Sequence, residues 1–401
     1  MQLKDAFLYD IVRTPRGFGH TGGALYELKP VDILAAILEA LRQRTGIDPN
    51  LIEDVIIGCA HPVDDQGFNI AKAALLSIAW PNNISGMQLS RHCASGLEAI
   101  NLAATKIRSG WGSLFLAGGM ESMSRIPGKG HGSPVWHDAE LLAESSTIPL
   151  GLSADLVATM EGFSREALDN WATRSHEKAR QAWQSGYFSK AVIPIYDLNG
   201  LPVLLEDEFL KNPNPSEALV RLLPAFAESG AVGFDGVALQ RFPEVEAVRH
   251  LHTQGNTAFA ADGACVALLG DRSTAGDLKA RAKIIAIANV CEDPIIGLAA
   301  AAKAAKRALE FAKLNPSAVD LWECSELFAA DALKFQHDMG IDENKLNVNG
   351  GAIAMGYPLG AHSAIMLGTL LDELERRDLK IGVTATYTHG GMGVATIIER
   401  I

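Results

Sequence analysis

Apolar and polar positions change their spacing repeatedly along this chain, and each change marks a predicted element. A continuous apolar run at 6–12 predicts a strand, apolar residues at helical spacing over 31–41 an amphipathic helix, and the run at 54–58 a second strand. The alternation continues with a helix over 69–78, a short strand at 87–89, a helix over 94–107 and a strand at 113–117 ending in Gly118-Gly119. The same order returns late in the chain: strand 283–290, helix 296–311, strand 319–323, helix 326–337, short strand 346–348, helix 361–375, then strands 381–386 and 394–398. Such repetition predicts an α/β fold of two pseudo-equivalent halves, in which Cys93 and Gly360-Ala361 stand at corresponding helix starts. Between the halves the pattern loosens into Gly, Pro and charged stretches with one clear helix over 165–183, which predicts an inserted cap without regular sheet. The expected divisions are a first half at 1–123, a loop or cap domain at 124–253, a return to the first half at 254–280 and a second half at 281–401.

Composition narrows the function classes. Apolar residues reach 48%, yet charges, Gly or Pro interrupt every run before the ~20 residues of a spanning helix. With no leader-like segment at the N-terminus, a soluble cytoplasmic protein with no membrane partner is expected. A net charge of −12 disfavours nucleic acid and anionic surfaces, both of which reward clustered Lys and Arg. The five cysteines show neither CxxC pairs nor metal-like spacing with His, so neither a disulfide framework nor a metal site is expected. Cys59, Cys265, Cys291 and Cys324 lie in apolar or small-residue runs and are expected in the core.

Cys93 stands apart. In Gln88-Leu89-Ser90-Arg91-His92-Cys93-Ala94-Ser95-Gly96-Leu97 it occupies a strand-to-helix turn followed by small residues. Free N–H groups and the macrodipole at a helix start would stabilise a thiolate, lower its pKa and bind an oxyanion. Local spacing alone leaves a second role open, a small buried residue closing the turn.

Ser90 to Leu97 resembles the nucleophile segment of the thiolase family, with Ser90 where the family has Asn, and the resemblance runs along almost the whole chain. Gly118-Gly119-Met120-Glu121-Ser122-Met123-Ser124, Ser164 to His176, and Asn347-Val348-Asn349-Gly350-Gly351-Ala352 are similar to further thiolase segments. Phe234 to Asp262, with Phe242-Pro243-Glu244-Val245-Glu246, resembles a longer-loop branch of bacterial degradative thiolases. The resemblance implies a layered αβαβα arrangement, an acyl-cysteine on Cys93, acyl-CoA or another acyl thioester as substrate with no bound cofactor, and a homodimer or homotetramer.

Three family motifs differ. Ser325-Glu326-Leu327-Phe328 replaces Asn-Glu-Ala-Phe, so the water-orienting Asn is Ser325; Gly356-Tyr357-Pro358 replaces Gly-His-Pro, so the activating histidine is Tyr357. Tyr387-Thr388-His389 replaces Cys-x-Gly, so the family's second cysteine is Tyr387 and a side chain is added at His389. With an ordinary pKa of about 10, neither tyrosine is an effective general base at neutrality. His389 is the candidate replacement base and His362 another, although helix direction is expected to turn His362 elsewhere; His92 is expected to pack beneath the nucleophile turn. Leu150, Ala258, Phe259, Leu327, Phe328 and Gly391 are the acyl/CoA-binding candidates, with the Phe259 ring expected to narrow the pantetheine path.

Three functions follow from this pattern. The first is acyl transfer through Cys93 to an acceptor other than an acetyl-CoA carbanion. The others are a non-catalytic partner subunit that assembles with an active thiolase-like chain, and conventional β-ketothiolase activity.

Overall fold

A computed structural model describes residues 3–126, 133–211, 216–274 and 276–401. The first half contributes β1 (Ala6–Arg13), α1 (Pro30–Thr45), β2 (Asp54–Gly58), α2 (Ile70–Ser77), β3 (Ser85–Leu89), α3 (Ser95–Ser109) and β4 (Leu114–Ser122). The cap carries α4 (Leu150–Met160) and α5 (Arg165–Gln184), and the chain returns through β5 (Ala261–Gly270). The second half contains β6 (Ala282–Cys291), α6 (Ala300–Ala312), β7 (Leu321–Cys324), α7 (Ala329–Met339), α8 (Leu359–Arg376), β8 (Ile381–Thr388) and β9 (Met392–Arg400).

The strands join in one ten-stranded sheet ordered β7-β8-β9-β6-β1-β5-β4-β2-β3, with a two-residue strand at Gly17–Phe18 beside β5. Each half uses the same order. In the first it is β3-β2-β4-β5-β1; in the second, Leu346 bridges Trp322 in parallel at the position equivalent to β3, followed by β7-β8-β9-β6. The half-sheets meet through a short antiparallel pairing of Ala6–Leu8 with Ala282–Ile284.

The strands are apolar on both faces, and their period of two divides the core into layers. Phe7, Tyr9 and Val12 of β1, with Leu114 and Leu116 of β4, pack against α1 and α2. Ala6, Leu8 and Ile11, with Phe115 and Ala117, face the opposite way onto α3 and α8. A further core cluster joins α6 and α7 to β8, β9 and the cap helices. The resulting order is the αβαβα layering, with α3 and α8 buried between half-sheets.

Several expectations are corrected. Residues 346–348 form no strand, because Asn347 adopts a left-handed φ of 43° and its side chain is drawn to the Cys324 backbone. The cap holds the helix α4 and a small ribbon, Ile195–Tyr196 with Pro202–Leu204, neither of which was read from its interrupted pattern. β5 was also missed, since its Gly263 and run of small residues lack a strand-like alternation, yet it pairs with both β1 and β4. Cys291 is exposed at the end of β6, whereas Cys59, Cys265 and Cys324 are buried.

Where the central helices begin, only glycine fits. A Cβ on Gly119 would lie 2.1 Å from the Gly360 carbonyl oxygen, and one on Gly96 would lie 2.6 Å from the same atom. Backbone on both sides leaves no flexible atom to yield. Gly119→Ala is therefore expected to destabilise the fold by about 3 kcal/mol, measured as a lowered midpoint in urea or thermal unfolding against the exposed, unobstructed control Gly236→Ala.

Candidate active site

Cys93 lies on the tight turn between β3 and α3, preceded by His92 at a left-handed φ of 47°. It is buried, at 3% exposure. The N–H groups that could serve an anion are already occupied. Cys93 N–H donates to Thr388 Oγ1 at 3.2 Å, Ala94 N–H to the Arg91 carbonyl at 3.1 Å and Ser95 N–H to the His92 carbonyl at 3.1 Å. The expected fall in thiol pKa is corrected accordingly. Burial pushes Cys93 up to about 11, opposed by hydrogen bonds from Tyr357 and Thr388 and assisted by the nearby Glu121 charge.

Tyr357 comes from the turn before α8, and its phenol hydrogen-bonds the Cys93 sulfur. Burial holds its pKa well above the ordinary value, so it acts as a donor. Tyr387, near the end of β8, is likewise buried and raised, first by burial and then by the Asp331 charge. The Tyr387 hydroxyl faces the Asp331 carboxylate and bonds to it, holding its proton, while Asp331 Oδ2 also accepts the N–H groups of Leu327 and Phe328 at 3.0 and 3.2 Å. Ser325 is buried with an unpartnered hydroxyl.

His389 sits one residue beyond Thr388, its ring 6.0 Å from His92 and 6.5 Å from Trp136. Burial lowers it to about 4, and His92 and His61 push the same way, so it is neutral at pH 7. His92 does not pack beneath the turn; it is exposed beside His389 because its left-handed backbone turns the side chain outward. His362 does not turn away from the site. Its ring lies 4.1 Å from that of Tyr357.

Among the acyl/CoA candidates, Ala258 and Leu327 pack with Cys93, Tyr357, Ala352 and Leu359 in one apolar cluster. The Ala258 N–H donates to the Leu327 carbonyl at 2.8 Å, which fixes that wall. Leu150 opens α4 and belongs with Phe328 to the cap-side core, where Phe328 meets Phe226 and His252 edge-on. Phe259 is 47% exposed and stacks on Phe209 at 6.2 Å. Gly391 is buried at a left-handed φ of 72° against the Glu292 carbonyl. Among the described residues, no group of three or more His, Cys, Asp or Glu side chains can hold a metal, and no helix is long and apolar enough to cross a membrane.

The chain matches the family models described as thiolase, N-terminal domain, over residues 7–234 and thiolase, C-terminal domain, over residues 278–400. It belongs to the thiolase family. A 3-ketoacyl-CoA thiolase of Marinobacter nauticus is 34% identical, with 99% of each chain covered, and one of Aeromonas hydrophila is 33% identical, with 100% of each covered. Among solved structures, the acetyl-CoA acetyltransferase of Bacillus anthracis superposes over 100% of both chains with a TM-score of 0.86 and 29% identity. The thiolase fold and the acyltransferase class of the chain rest on these matches together.

A further residue central to this thiolase site lies within the Gly118–Ser124 segment. Glu121 is wholly buried, and its Oε2 accepts Ala60 N–H at 2.7 Å and Gly360 N–H at 2.9 Å. Its Oε1 accepts His61 N–H at 3.1 Å and the Gln66 amide at 2.9 Å. The available signal was a lone carboxylate in an otherwise apolar strand. Thr388 carried no comparable signal, because its partner Cys93 lies 295 residues away in sequence.

Two outcomes follow. Alkylation of Cys93 by iodoacetamide, read by mass spectrometry on its peptide, is expected to rise about tenfold per pH unit between pH 7 and 10, because only thiolate reacts and its pKa is about 11; a plateau near pH 8 would contradict this. Glu121→Gln places an amide N–H₂ against backbone donors and is expected to lower stability by about 3 kcal/mol. In folded protein at fixed pH, the same change should speed Cys93 alkylation, because it removes a charge that raises the thiol pKa.

Proposed function

We propose that this thiolase-family protein takes an acyl group from an acyl-CoA thioester onto Cys93 and passes it to an acceptor other than a deprotonated acetyl-CoA carbon. The observation supporting it is the Tyr357–Cys93 hydrogen bond at a nucleophile turn, combined with a phenol at Tyr387 that burial keeps protonated. In the first step the Cys93 sulfur bonds to the acyl carbon, the carbon–sulfur bond to CoA breaks, and the thiol proton ends on the departing CoA sulfur. Tyr357 stabilises sulfur as it gains negative charge. In the second step the acceptor bonds to the acyl carbon, its proton passes to His389 and then to the released Cys93 sulfur. His389, neutral above about pH 4, has the protonation state this requires.

A second reading is thiolysis of a 3-ketoacyl-CoA, favoured by the names of the relatives at 33–34% identity. The Cys93 sulfur bonds to the 3-keto carbon as the carbon–carbon bond breaks, the leaving carbanion takes a proton from Tyr387, and the proton lost by the Cys93 thiol restores the phenol; the acyl carbon then bonds to the sulfur of a second CoA, whose thiol proton returns to Cys93. Condensation needs Tyr387 as a base and is disfavoured in both readings. Association into a homodimer or homotetramer belongs to the proposal. Among the described residues the β3 edge pairs only with β2, and Phe68, beside an Asn69 that bonds to the Gly86 carbonyl of β3, is 94% exposed.

Incubation with saturated acyl-CoA thioesters is expected to add an acyl mass to the Cys93 peptide, and His389→Ala to keep that adduct while slowing its discharge at least tenfold. Absence of an adduct across the panel would sink the acyl-cysteine. Acetoacetyl-CoA thiolysis that falls at least tenfold in Tyr387→Phe, with adduct formation from saturated donors retained, would select the second reading. Turnover surviving in Cys93→Ala would remove Cys93 from either.

A further inference from the structure

Beside His362, whose ring stacks on Tyr357, lies a polar chamber that the acyl-transfer steps do not use. Arg16, Glu323, Cys324, His362 and Thr369 border a cavity with about 10 Å³ of room for a water centre, enough for one molecule. Its polar groups are buried and under-partnered. His362 is 2% exposed and neither ring nitrogen has a hydrogen-bond partner; Arg16, also 2% exposed, leaves Nε unpartnered while its Nη1 donates to the Gly356 carbonyl at 3.4 Å. Glu323 enters from β7 at 5% exposure. Burial and the Arg16 charge both disfavour a second proton on His362.

The orientation of His362 explains how such an imidazole can be accommodated without polar partners on protein groups. It stands in the first turn of α8, its N–H bonded to the Pro358 carbonyl at 3.0 Å, so its backbone is fixed relative to Tyr357. The two rings lie 4.1 Å apart and 32° from parallel, so His362 meets the face of Tyr357 and does not hydrogen-bond its hydroxyl. The Tyr357 hydroxyl is thereby left to Cys93 and Thr386, the partners it reaches across the site. We propose that His362 is a positioning residue: its ring backs Tyr357 and holds the phenol on the Cys93 sulfur, while its nitrogens turn to a water shared with Arg16 and Glu323. This assignment rests on the role given above to Tyr357, and it extends that role to a residue outside the acyl-binding wall.

The test needs no acyl donor, so it is separable from acyl transfer itself. Iodoacetamide alkylation at pH 8, followed on the Cys93 peptide because the exposed Cys291 reacts as well, reports the thiolate fraction. His362→Ala is expected to slow it about tenfold, through a Tyr357 ring released from its backing, and His362→Phe to rescue it to within about twofold of wild type. In a Tyr357→Phe background, His362→Ala should add nothing, since the hydroxyl it positions is gone. His362→Gln, which fills the site without a ring, should behave as His362→Ala and carries the test if the alanine variant does not fold. An unchanged rate in His362→Ala and His362→Gln, a full additional loss in the Tyr357→Phe background, or failure of His362→Phe to rescue would each overturn the proposal. A missing acyl adduct with this alkylation series intact would instead place the failure in acyl transfer.

Discussion

The Glu121 carboxylate sits where both central helices begin, accepting N–H groups from the β2–α2 connection on one side and from Gly360 at the start of α8 on the other. A buried charge is tolerated only when its acceptor capacity is filled, and three backbone N–H groups, the Gln66 amide and the Cys59 thiol fill it here. The bond to Gly360 spans 239 residues and joins the two halves at the level of the nucleophile. Packing adds to this constraint, because the same Gly360 carbonyl is approached by Gly96 and Gly119 too closely for any side chain. The turn that presents Cys93 is thus located by contacts from both halves.

That tight junction also sets the chemistry of the thiol. A helix start in water would favour the thiolate, but this one is dry, near a carboxylate and already hydrogen-bonded within its own turn. Burial outweighs the local dipole, so thiolate formation depends on donors from the second half: Tyr357 before α8 and Thr388 at the end of β8. The two phenols share one physical bias. Each is buried beside negative or potentially negative groups, and each therefore keeps its proton. Both phenols are thereby suited to hydrogen-bond donation and to proton release toward strong bases.

The alternation of apolar runs and helical spacing was sufficient for most elements, including β2 to the residue and both central helices. It failed where a strand is rich in small residues, as in β5, and where a side-chain bond overrides propensity, as at Asn347. Cys93 and the three altered motifs were legible because they depend on residue identity. The places of His92 and His362 were not, since one is set by a left-handed backbone and the other by which neighbour the first turn of α8 meets.

By itself, the sequence determined the repeated α/β order, the helix-start position of Cys93 and the replacement of histidine and cysteine by Tyr357 and Tyr387, all of which are properties of residue type and short-range spacing. The tertiary structure decided the raised thiol pKa, the pairing of Tyr357 with Cys93, the joining of two halves by Glu121 and the stacking of His362 behind the site. The first three depend on solvent exclusion or on groups separated by more than two hundred residues, and the last on which way the chain turns between Tyr357 and the first turn of α8; none is encoded in a local pattern of residue types.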